Sequence, residues 1–360
     1  MARKSKLFSL YIFIFFVIIF GLNNHHLGYS DYYNMDFENY YTAYLSSANQ
    51  ISPRNMEIGF KIVMYISNLL GLSLNSFRFI IGLFGFSLIF ITIKKYSSYP
   101  NYVLSLYLIY PFINDVIQIR NFIAASIVIF SIRYLLEDKK GNLLKYALFV
   151  FLASLFHISS LFYLVLILVK YLKTRHFLNL ILIVLPTLII LAYTSFYPFL
   201  VSRITSNQKV LMYLSRRTTW GLIIVYGTIF MMFGVHYILN REAKKSLIGE
   251  NKLRPGIDEG SLVDKMTFYD ILLRINTLIL LLSLPLLIYD FNYIRLYRNI
   301  LPLNYIVYVD AIMYRRIPAM SHKYFILIFI SLSILFVMFY GLNASEQIFP
   351  VFNDNMLWGS

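Results

Sequence analysis

The chain has 360 residues, of which 59% are hydrophobic and only 14% are charged, with a formal net charge of +15. So apolar a composition indicates a polytopic membrane protein and excludes an ordinary soluble domain. Cysteine is absent from the sequence, which excludes disulfides, thiolate nucleophiles and thiolate metal ligands.

The basic residues indicate which side of the membrane each polar gap faces. In membrane proteins, gaps rich in lysine and arginine lie in the cytoplasm. Such gaps occur at 3–6, 94–101, 137–145, 170–176, 241–265 and 314–323. We therefore interpret the positive charge as a topology signal and as contact with anionic lipid, with no nucleic-acid partner. If all these gaps are cytoplasmic, neighbouring gaps are separated by an even number of crossings.

The N-terminal part is predicted to leave the cytoplasm, run along the outer surface and return. An apolar helix at 7–22 crosses outward as an uncleaved first span, because no small-residue cleavage site follows it. The external loop at 23–73 contains an amphipathic helix at 56–72, which we expect to lie along the outer surface. The helix at 74–93 then returns to the cytoplasm.

Hairpins are predicted in the next part of the chain. Residues 100–136 cross outward and back around a polar turn at 111–115. Residues 144–170 are short for two full spans, since each span needs about 20 residues. They fit either one long tilted helix or two short helices broken near 156–160, and the charge pattern favours the hairpin.

The C-terminal part continues the alternation of spans and gaps. Its predicted segments are a helix at 177–194, an external loop at 195–218, a helix at 219–239, a mobile cytoplasmic loop at 241–265, a hairpin at 267–313 that turns near 290–292, a helix at 324–342 and an external tail at 343–360. The sequence thus predicts one all-α transmembrane domain with about eleven helices, in a range of roughly ten to twelve. The N-terminus is expected in the cytoplasm and the C-terminus outside.

Arginines inside apolar segments, or in gaps with few lysines, need a separate explanation. They are Arg54, Arg78, Arg120, Arg133, Arg203, Arg216, Arg217, Arg274, Arg295 and Arg298. A charge within the membrane is costly and by default marks a functional site, and the planar guanidinium suits an anionic ligand. On the predicted topology several of them converge on the outer leaflet with a few carboxylates and His157. Such a site suits a diphosphate on a lipid carrier.

Each of these candidates also has a structural explanation. Arg120, at the start of an apolar helix, could snorkel to the interface or pair with Asp115. Arg295 and Arg298 lie three residues apart on one helix face, where they could form a phosphate clamp or an interfacial anchor. Both explanations stay open for each of them at this stage.

Other candidates stay open in the same way. Arg216 and Arg217 are either a loop pair or a guide for an anionic substrate. His157 is either a buried, hydrogen-bonded histidine or a functional group at mid-membrane depth. The sequence has no Gly-rich phosphate loop, paired-histidine zinc spacing or Gly-x-Ser-x-Gly elbow, so nucleotide, metal and serine-hydrolase chemistry lack support.

Short motifs occur in a fixed order in the N-terminal half of the chain. They are D-x-x-N-Y at 36–40, E-x-G-aromatic at 57–60, R-x-x-I-A at 120–124 and F-H-x-S at 156–159. Their order and spacing resemble the EpsG family of Wzy-type exopolysaccharide and capsule polymerases, over the region of 30–170 and again at 295–298. The family motif usually has glutamine where this chain has Asn121, which leaves the preceding arginine in place.

The resemblance implies a nucleotide-independent glycosyltransferase in the bacterial cytoplasmic membrane, with a GT-C-like helical bundle that contains short re-entrant or broken helices. Such enzymes transfer a growing glycan from undecaprenyl diphosphate to another lipid-linked repeat unit at the outer face. The implied partners are this lipid-linked oligosaccharide, as donor and acceptor, membrane lipids, and flippase and chain-length regulator proteins. The resemblance implies that the reaction needs no nucleotide, and we expect no cofactor. Few carboxylates cluster on the predicted outer side, so we also expect no metal.

The resemblance also implies roles for individual residues. The expected diphosphate ligands are Arg120, Arg295 and Arg298, and the expected substrate-steering residues are Arg203, Arg216 and Arg217. Asp36 is the first choice for the general base that deprotonates the acceptor hydroxyl, and Glu57 is the second. His157 is expected to orient the base or to contact phosphate.

Other functions are compatible with the same sequence. A glycan ligase like the O-antigen ligases would transfer finished chains and give no ladder of lengths. A lipid-glycan flippase or another transporter would move its substrate without forming a bond. An integral acyltransferase that uses His157 would require an acyl donor.

Overall fold

The computed structural model describes residues 2–24, 35–51, 56–137, 139–171, 173–194, 196–204, 221–253, 259–313, 318–341 and 344–357. Across these ranges the regular structure is helical, apart from one extended pairing between Asn23 and Asn355. Helices long and apolar enough to cross a membrane are Leu74–Tyr96, Ile119–Leu136, Ile223–Ile248, Asp264–Leu287 and Ala319–Gly341. Shorter apolar helices accompany them. The chain is therefore an all-α polytopic membrane protein, as its sequence predicts.

The helices form two compact units, and the first comprises Met1–Val165 and Leu332–Ser360. Its helices are α1 (Ala2–Leu22), α2 (Met35–Leu45), α3 (Ile58–Leu69), α4 (Leu74–Tyr96), α5 (Pro100–Ile109), α6 (Phe112–Ile117), α7 (Ile119–Ser131), α8 (Arg133–Leu136) and α9 (Asn142–Ser154). A 3-10 helix (Ile158–Lys170) begins in this unit. A helix near the C-terminus (Ala344–Phe352) also belongs to it.

The second unit comprises Leu166–Ser331. Its helices are α10 (Thr174–Tyr193), α11 (Phe196–Ile204), α12 (Gly221–Leu253), α13 (Glu259–Leu287), α14 (Arg295–Arg298), α15 (Leu301–Met313) and most of α16 (Pro318–Phe336). Asn276 on α13 and Asn304 on α15 exchange two amide hydrogen bonds of 2.8 Å each. Such buried polar pairs join helices within a bilayer.

Close packing within the first unit depends on glycine. A methyl group on Gly82 would lie 2.8 Å from the ring of Phe20 on α1, and one on Gly85 would lie 2.5 Å from the ring of Phe122 on α7. Since α4 carries both glycines, it can approach α1 on one side and α7 on the other. Small residues at helix contacts serve this purpose in membranes.

A break at residues 155–157 divides the segment for which the sequence leaves two alternatives. The α-helix α9 ends at Ser154, and the 3-10 helix begins at Ile158. The Tyr146 hydroxyl donates to the Tyr163 carbonyl across 2.7 Å, which places the two helices side by side. The segment is therefore a short hairpin rather than one long helix.

Several segments predicted as loops contain helices. The external loop at 23–73 contains α2 as well as the amphipathic α3, and the loop at 195–218 contains α11. Within the gap at 241–265, α12 continues to Leu253 and α13 begins at Glu259, while 254–258 lie outside the described residues. The helix Ala344–Phe352, here named α17, occupies the predicted tail. The continuation of α12 is rich in Lys, Glu and Arg, which have good helix propensity.

Candidate functional site

Arg120 lies at the beginning of α7, directly after a break in the helical backbone. Gln118 has non-helical dihedral angles (φ −98°, ψ 63°), and Arg120 is the second residue of the helix that follows. Most of the remaining residues of α7 are buried and apolar. The first N–H groups of a helix and its dipole favour a bound anion, so the sequence places Arg120 where an anionic ligand is stabilised.

The guanidinium of Arg120 is held by two residues from the N-terminal part of the first unit. Its Nη1 donates to Glu57 Oε2 across 2.6 Å, and their side chains are only 20% and 16% exposed. Its central carbon lies 5.8 Å from the centre of the Tyr40 ring. The Nε atom is buried and has no hydrogen-bond partner among the described residues. Arg120 therefore carries a fixed and largely buried positive charge.

Glu57 connects Arg120 to the break that follows α9. It precedes α3 in an extended conformation, and its Oε1 lies 3.1 Å from His157 Nδ1 and accepts from the Ile158 N–H across 3.2 Å. Burial raises the pKa of Glu57, but the hydrogen bond with His157 and the charge of Arg120 outweigh it and lower the pKa from 4.5 to about 2. The carboxylate is therefore ionised at neutral pH.

Gly59 makes this contact between segments possible. Its backbone N–H donates to the Leu155 carbonyl oxygen across 2.9 Å. A methyl group at this position would lie 2.7 Å from the same oxygen and 2.8 Å from Leu155 Cβ. Glycine thus lets the first turn of α3 touch the break after α9, which brings Glu57 within reach of His157.

Asp36 and Tyr40 lie one turn apart on α2. Tyr40 is 4% exposed, and its ring packs 5.7 Å from that of Phe60 on α3. Burial raises the pKa of the Tyr40 hydroxyl above its ordinary value near 10; Arg120 acts in the lowering direction, and the charge of Asp36 adds to the rise. The charge of Asp36 therefore influences the Tyr40 hydroxyl, which lies beside Arg120.

Arg78 on α4 is 1% exposed and connects the segments around this site. Its Nε donates to the Phe20 carbonyl across 3.3 Å. Its Nη2 donates to Asn23 Oδ1 and the Val116 carbonyl across 3.1 and 3.2 Å. The guanidinium carbon also lies 5.5 Å from the centre of the Phe37 ring. Arg78 thus holds together the end of α1, the residues before α7, and α2.

The amide of Asn23 continues this connection into the C-terminal segment. It donates to the Pro350 carbonyl across 2.7 Å, and the Asn355 amide donates to the Ile19 carbonyl across 3.0 Å. The backbone N–H of Met356 donates to the Leu22 carbonyl across 2.9 Å. The C-terminal segment is therefore bound to the end of α1 by side chains and backbone together.

Arg120 and Asp115, which the sequence offers as a possible pair, each bond to a different residue. Arg120 bonds to Glu57, whereas the buried Asp115 accepts from the Tyr107 hydroxyl across 2.6 Å. Of the sequence candidates, Glu57, Arg120 and His157 thus form one cluster, with Asp36 at its border through Tyr40.

Arg295 and Arg298 belong to the second unit. They form the short helix α14, after a turn that Asp290 caps through the Asn292 N–H, across 2.7 Å. Arg295 donates from Nε and Nη2 to the carbonyl and side-chain oxygens of Asn292, across 3.0 and 2.6 Å. Arg298 is 4% exposed. The turn is where the sequence predicts it, and a role for these arginines in phosphate binding stays a prediction.

The role of the candidate steering residues in guiding the substrate stays a prediction. Arg203 is exposed on α11, with its guanidinium carbon 5.2 Å from the centre of the Phe199 ring. Arg216 and Arg217 lie outside the described residues. Sequence reasoning assigned no role to Tyr40 or Gly59, although both are fixed positions of the motifs at 36–40 and 57–60.

The fold and the site define a class of protein: a polytopic, all-α membrane protein with an arginine–glutamate–histidine cluster at the start of a buried apolar helix. The model of the EpsG family matches residues 6–353, which is nearly the whole chain, so the chain belongs to the EpsG family. Membership implies a role of the polysaccharide-polymerase type. Searches among curated proteins and among solved structures found no match.

Proposed function

We propose that this protein is a polysaccharide polymerase that joins undecaprenyl-diphosphate-linked repeat units by glycosyl transfer at the outer face of the bacterial cytoplasmic membrane. The donor is activated by its own diphosphate, so the reaction needs no nucleotide. Flippase and chain-length regulator proteins would act before and beside it. Membership of the EpsG family supports the polymerase class.

The observation that carries the proposal is the fixed position of Arg120. Its charge is permanent, largely buried, and held by Glu57 at the N-terminal end of α7. A guanidinium in this setting can bind the diphosphate and stabilise the negative charge that develops on it as it leaves. Because the surroundings exclude most water, this interaction is stronger than in bulk solvent.

The proposal also assigns the remaining sequence candidates. Arg295 and Arg298 stay candidates for phosphate contact, and Arg203, Arg216 and Arg217 for guiding the acidic lipid. Each of these assignments is tested separately by substitution with glutamine, because glutamine keeps a polar side chain of moderate length while it removes the charge.

Substitution of Arg120 tests the proposal in cells that depend on this protein for surface glycan. We expect Arg120→Lys to slow polymerisation about 10–100-fold, because lysine keeps the charge but loses the planar fork. Arg120→Ala should abolish long chains. The glycan is separated by length on a gel, and normal chains from Arg120→Ala would refute the role of Arg120.

Arg133→Lys is the matched control. Arg133 lies on α8 at the other end of the same apolar segment, and its Nε donates to the Phe130 carbonyl across 3.0 Å. We expect normal chain length from this variant.

The wild-type protein itself separates a polymerase from a ligase. If the wild type produced no ladder of chain lengths, the result would indicate a ligase.

A further inference from the structure

His157 and Glu57 form a carboxylate–histidine pair inside the cluster. Glu57 Oε1 lies 3.1 Å from His157 Nδ1, and the two side chains are 16% and 15% exposed. A carboxylate at Nδ1 favours the tautomer in which that nitrogen carries the proton. The lone pair of a neutral ring then lies on Nε2, on the opposite side of the imidazole from Glu57.

On the basis of the proposed polymerase function, we infer that His157 is the general base for the acceptor hydroxyl and that Glu57 is the residue that positions it. This assignment differs from the sequence expectation, which places the base at Asp36 or Glu57. The two residues would act as a unit, in the way that a carboxylate orients and supports a histidine base in other transferases and hydrolases.

Glu57 itself is poorly suited to accept the proton. An efficient general base has a pKa near the working pH, whereas the pKa of Glu57 is about 2. Its two oxygens are also engaged by the Arg120 guanidinium, the His157 ring and the Ile158 N–H. The imidazole of His157 keeps a second nitrogen, Nε2, which Glu57 does not contact, and histidine is the commonest general base in enzymes.

The backbone fixes the geometry of the pair on both sides. His157 is the last residue before the 3-10 helix, and the next residue donates its N–H to Glu57. Two residues from Glu57 along the other segment, the Gly59 N–H donates to the Leu155 carbonyl. One backbone N–H thus binds the Glu57 carboxylate and another joins the two segments, so little reorganisation is needed when the ring receives a proton.

The proposed step is balanced in atoms and electrons. His157 Nε2 takes the proton of the acceptor hydroxyl, and the hydroxyl oxygen forms a bond to the anomeric carbon of the donor sugar. The bond from that carbon to the diphosphate oxygen breaks, and its electron pair leaves with undecaprenyl diphosphate. Arg120 stabilises the new negative charge, and Glu57 stabilises the imidazolium. The proton then passes to water, which restores the base.

The pH dependence of the first glycosyl transfer tests this role. Purified protein in liposomes is given lipid-linked repeat units extracted from host membranes, and the rate of dimer formation is measured from pH 5 to 9. We expect the wild-type rate to fall on the acid side. Glu57→Gln should reduce kcat about 10–1000-fold and move this fall to lower pH, because the imidazolium loses its stabilising carboxylate.

Three further variants make the test specific. His157→Gln should reduce the rate about 100–10,000-fold and remove the fall on the acid side. Asp36→Asn should keep that fall. Glu137→Gln, on a partly exposed glutamate that bonds to Lys95, is the matched control and should behave as the wild type. If His157→Gln fails to fold, the shift in Glu57→Gln still decides the question.

The possible results separate this inference from the function on which it rests. The inference alone is overturned if the wild type forms a ladder but Glu57→Gln does not shift the fall in rate at acid pH. It is also overturned if the wild type forms a ladder and His157→Gln transfers sugar at the normal rate. Loss of the acid limb in Asp36→Asn assigns the base to Asp36 and also overturns it. Absence of any bond formation by the wild type overturns the polymerase function and the inference together.

Discussion

Gly59→Ala is a small change that should disrupt the site without unfolding the protein. The added methyl group would lie 2.7 Å from the Leu155 carbonyl oxygen, whereas carbon–oxygen contacts are rarely shorter than about 3.3 Å. The first turn of α3 and the break after α9 must therefore separate by roughly 0.6 Å. Carried to Glu57 and His157, which lie 3.1 Å apart, this shift gives a separation of ~3.7 Å, too long for a hydrogen bond.

The expected magnitudes differ between folding and activity. Overpacking costs about 1–3 kcal/mol, but alanine gains up to ~1 kcal/mol over glycine within a helix, so the protein should fold. If Glu57 and His157 act as proposed, loss of their alignment should cost on the order of 100-fold in rate. Thermal unfolding in detergent measures the first quantity, and the rate of dimer formation in liposomes measures the second.

Gly227→Ala on α12 is the matched control. A methyl group there meets no atom of the described residues within 4 Å, so we expect unchanged activity and equal or slightly higher stability. If Gly59→Ala transferred sugar at the rate of Gly227→Ala, the close approach of Gly59 to Leu155 could not be what aligns the site.

Other predictions concern the supports of the site. Arg78→Met removes three hydrogen bonds from a buried guanidinium, so we expect the unfolding free energy to fall by ~2–5 kcal/mol, whereas the exposed Arg203→Met should change it little. Asn23→Ala removes the donor to the Pro350 carbonyl, so limited proteolysis should cut the C-terminal segment faster. The pKa of Glu57 in the folded protein is about 2, below its ordinary value of 4.5, so the ionised carboxylate stabilises the fold above pH 4.5. This stabilisation, ~3 kcal/mol, should be lost as the pH falls from 4.5 towards 2. Glu57→Gln should not show this loss of stability.

Each of these predictions has a contrary outcome. Equal melting temperatures for Arg78→Met and Arg203→Met would show that the buried arginine does not join its three segments. Unchanged cleavage after Asn23→Ala would mean that the remaining contacts alone hold the C-terminal segment. An acid-induced loss of stability in Glu57→Gln as large as that of the wild type would assign the effect to other groups.

The charge pattern and the local motifs predict much of the fold because they act over short distances. The hairpin at 144–170 follows from the basic gaps on either side, even though its length suggests a single helix. The turn at 290–292 follows from polar residues between two apolar runs. Both features depend on the local cost of placing charge within a membrane, which a sequence displays directly.

The helices α2 and α17 lie in segments that the sequence predicts as an external loop and an external tail. The C-terminal segment is fixed by bonds between residues more than 300 positions apart, such as Asn23 with Pro350. The hydrophobic periodicity of a single helix does not predict such a contact. In the same way, the sequence identified Glu57, Arg120 and His157 as separate candidates but not as partners, because the contact depends on Gly59 meeting the backbone of Leu155.

The polymerase function is tested most directly by transfer with purified components. Wild-type protein in liposomes is mixed with undecaprenyl-diphosphate-linked repeat units alone, without nucleotide sugar, and the products are separated by length. We expect a ladder of products and the release of undecaprenyl diphosphate, with both lost in Arg120→Ala. Movement of the lipid-linked unit across the bilayer without any ladder would contradict the polymerase function. An undiminished ladder from Arg120→Ala would contradict the role of Arg120.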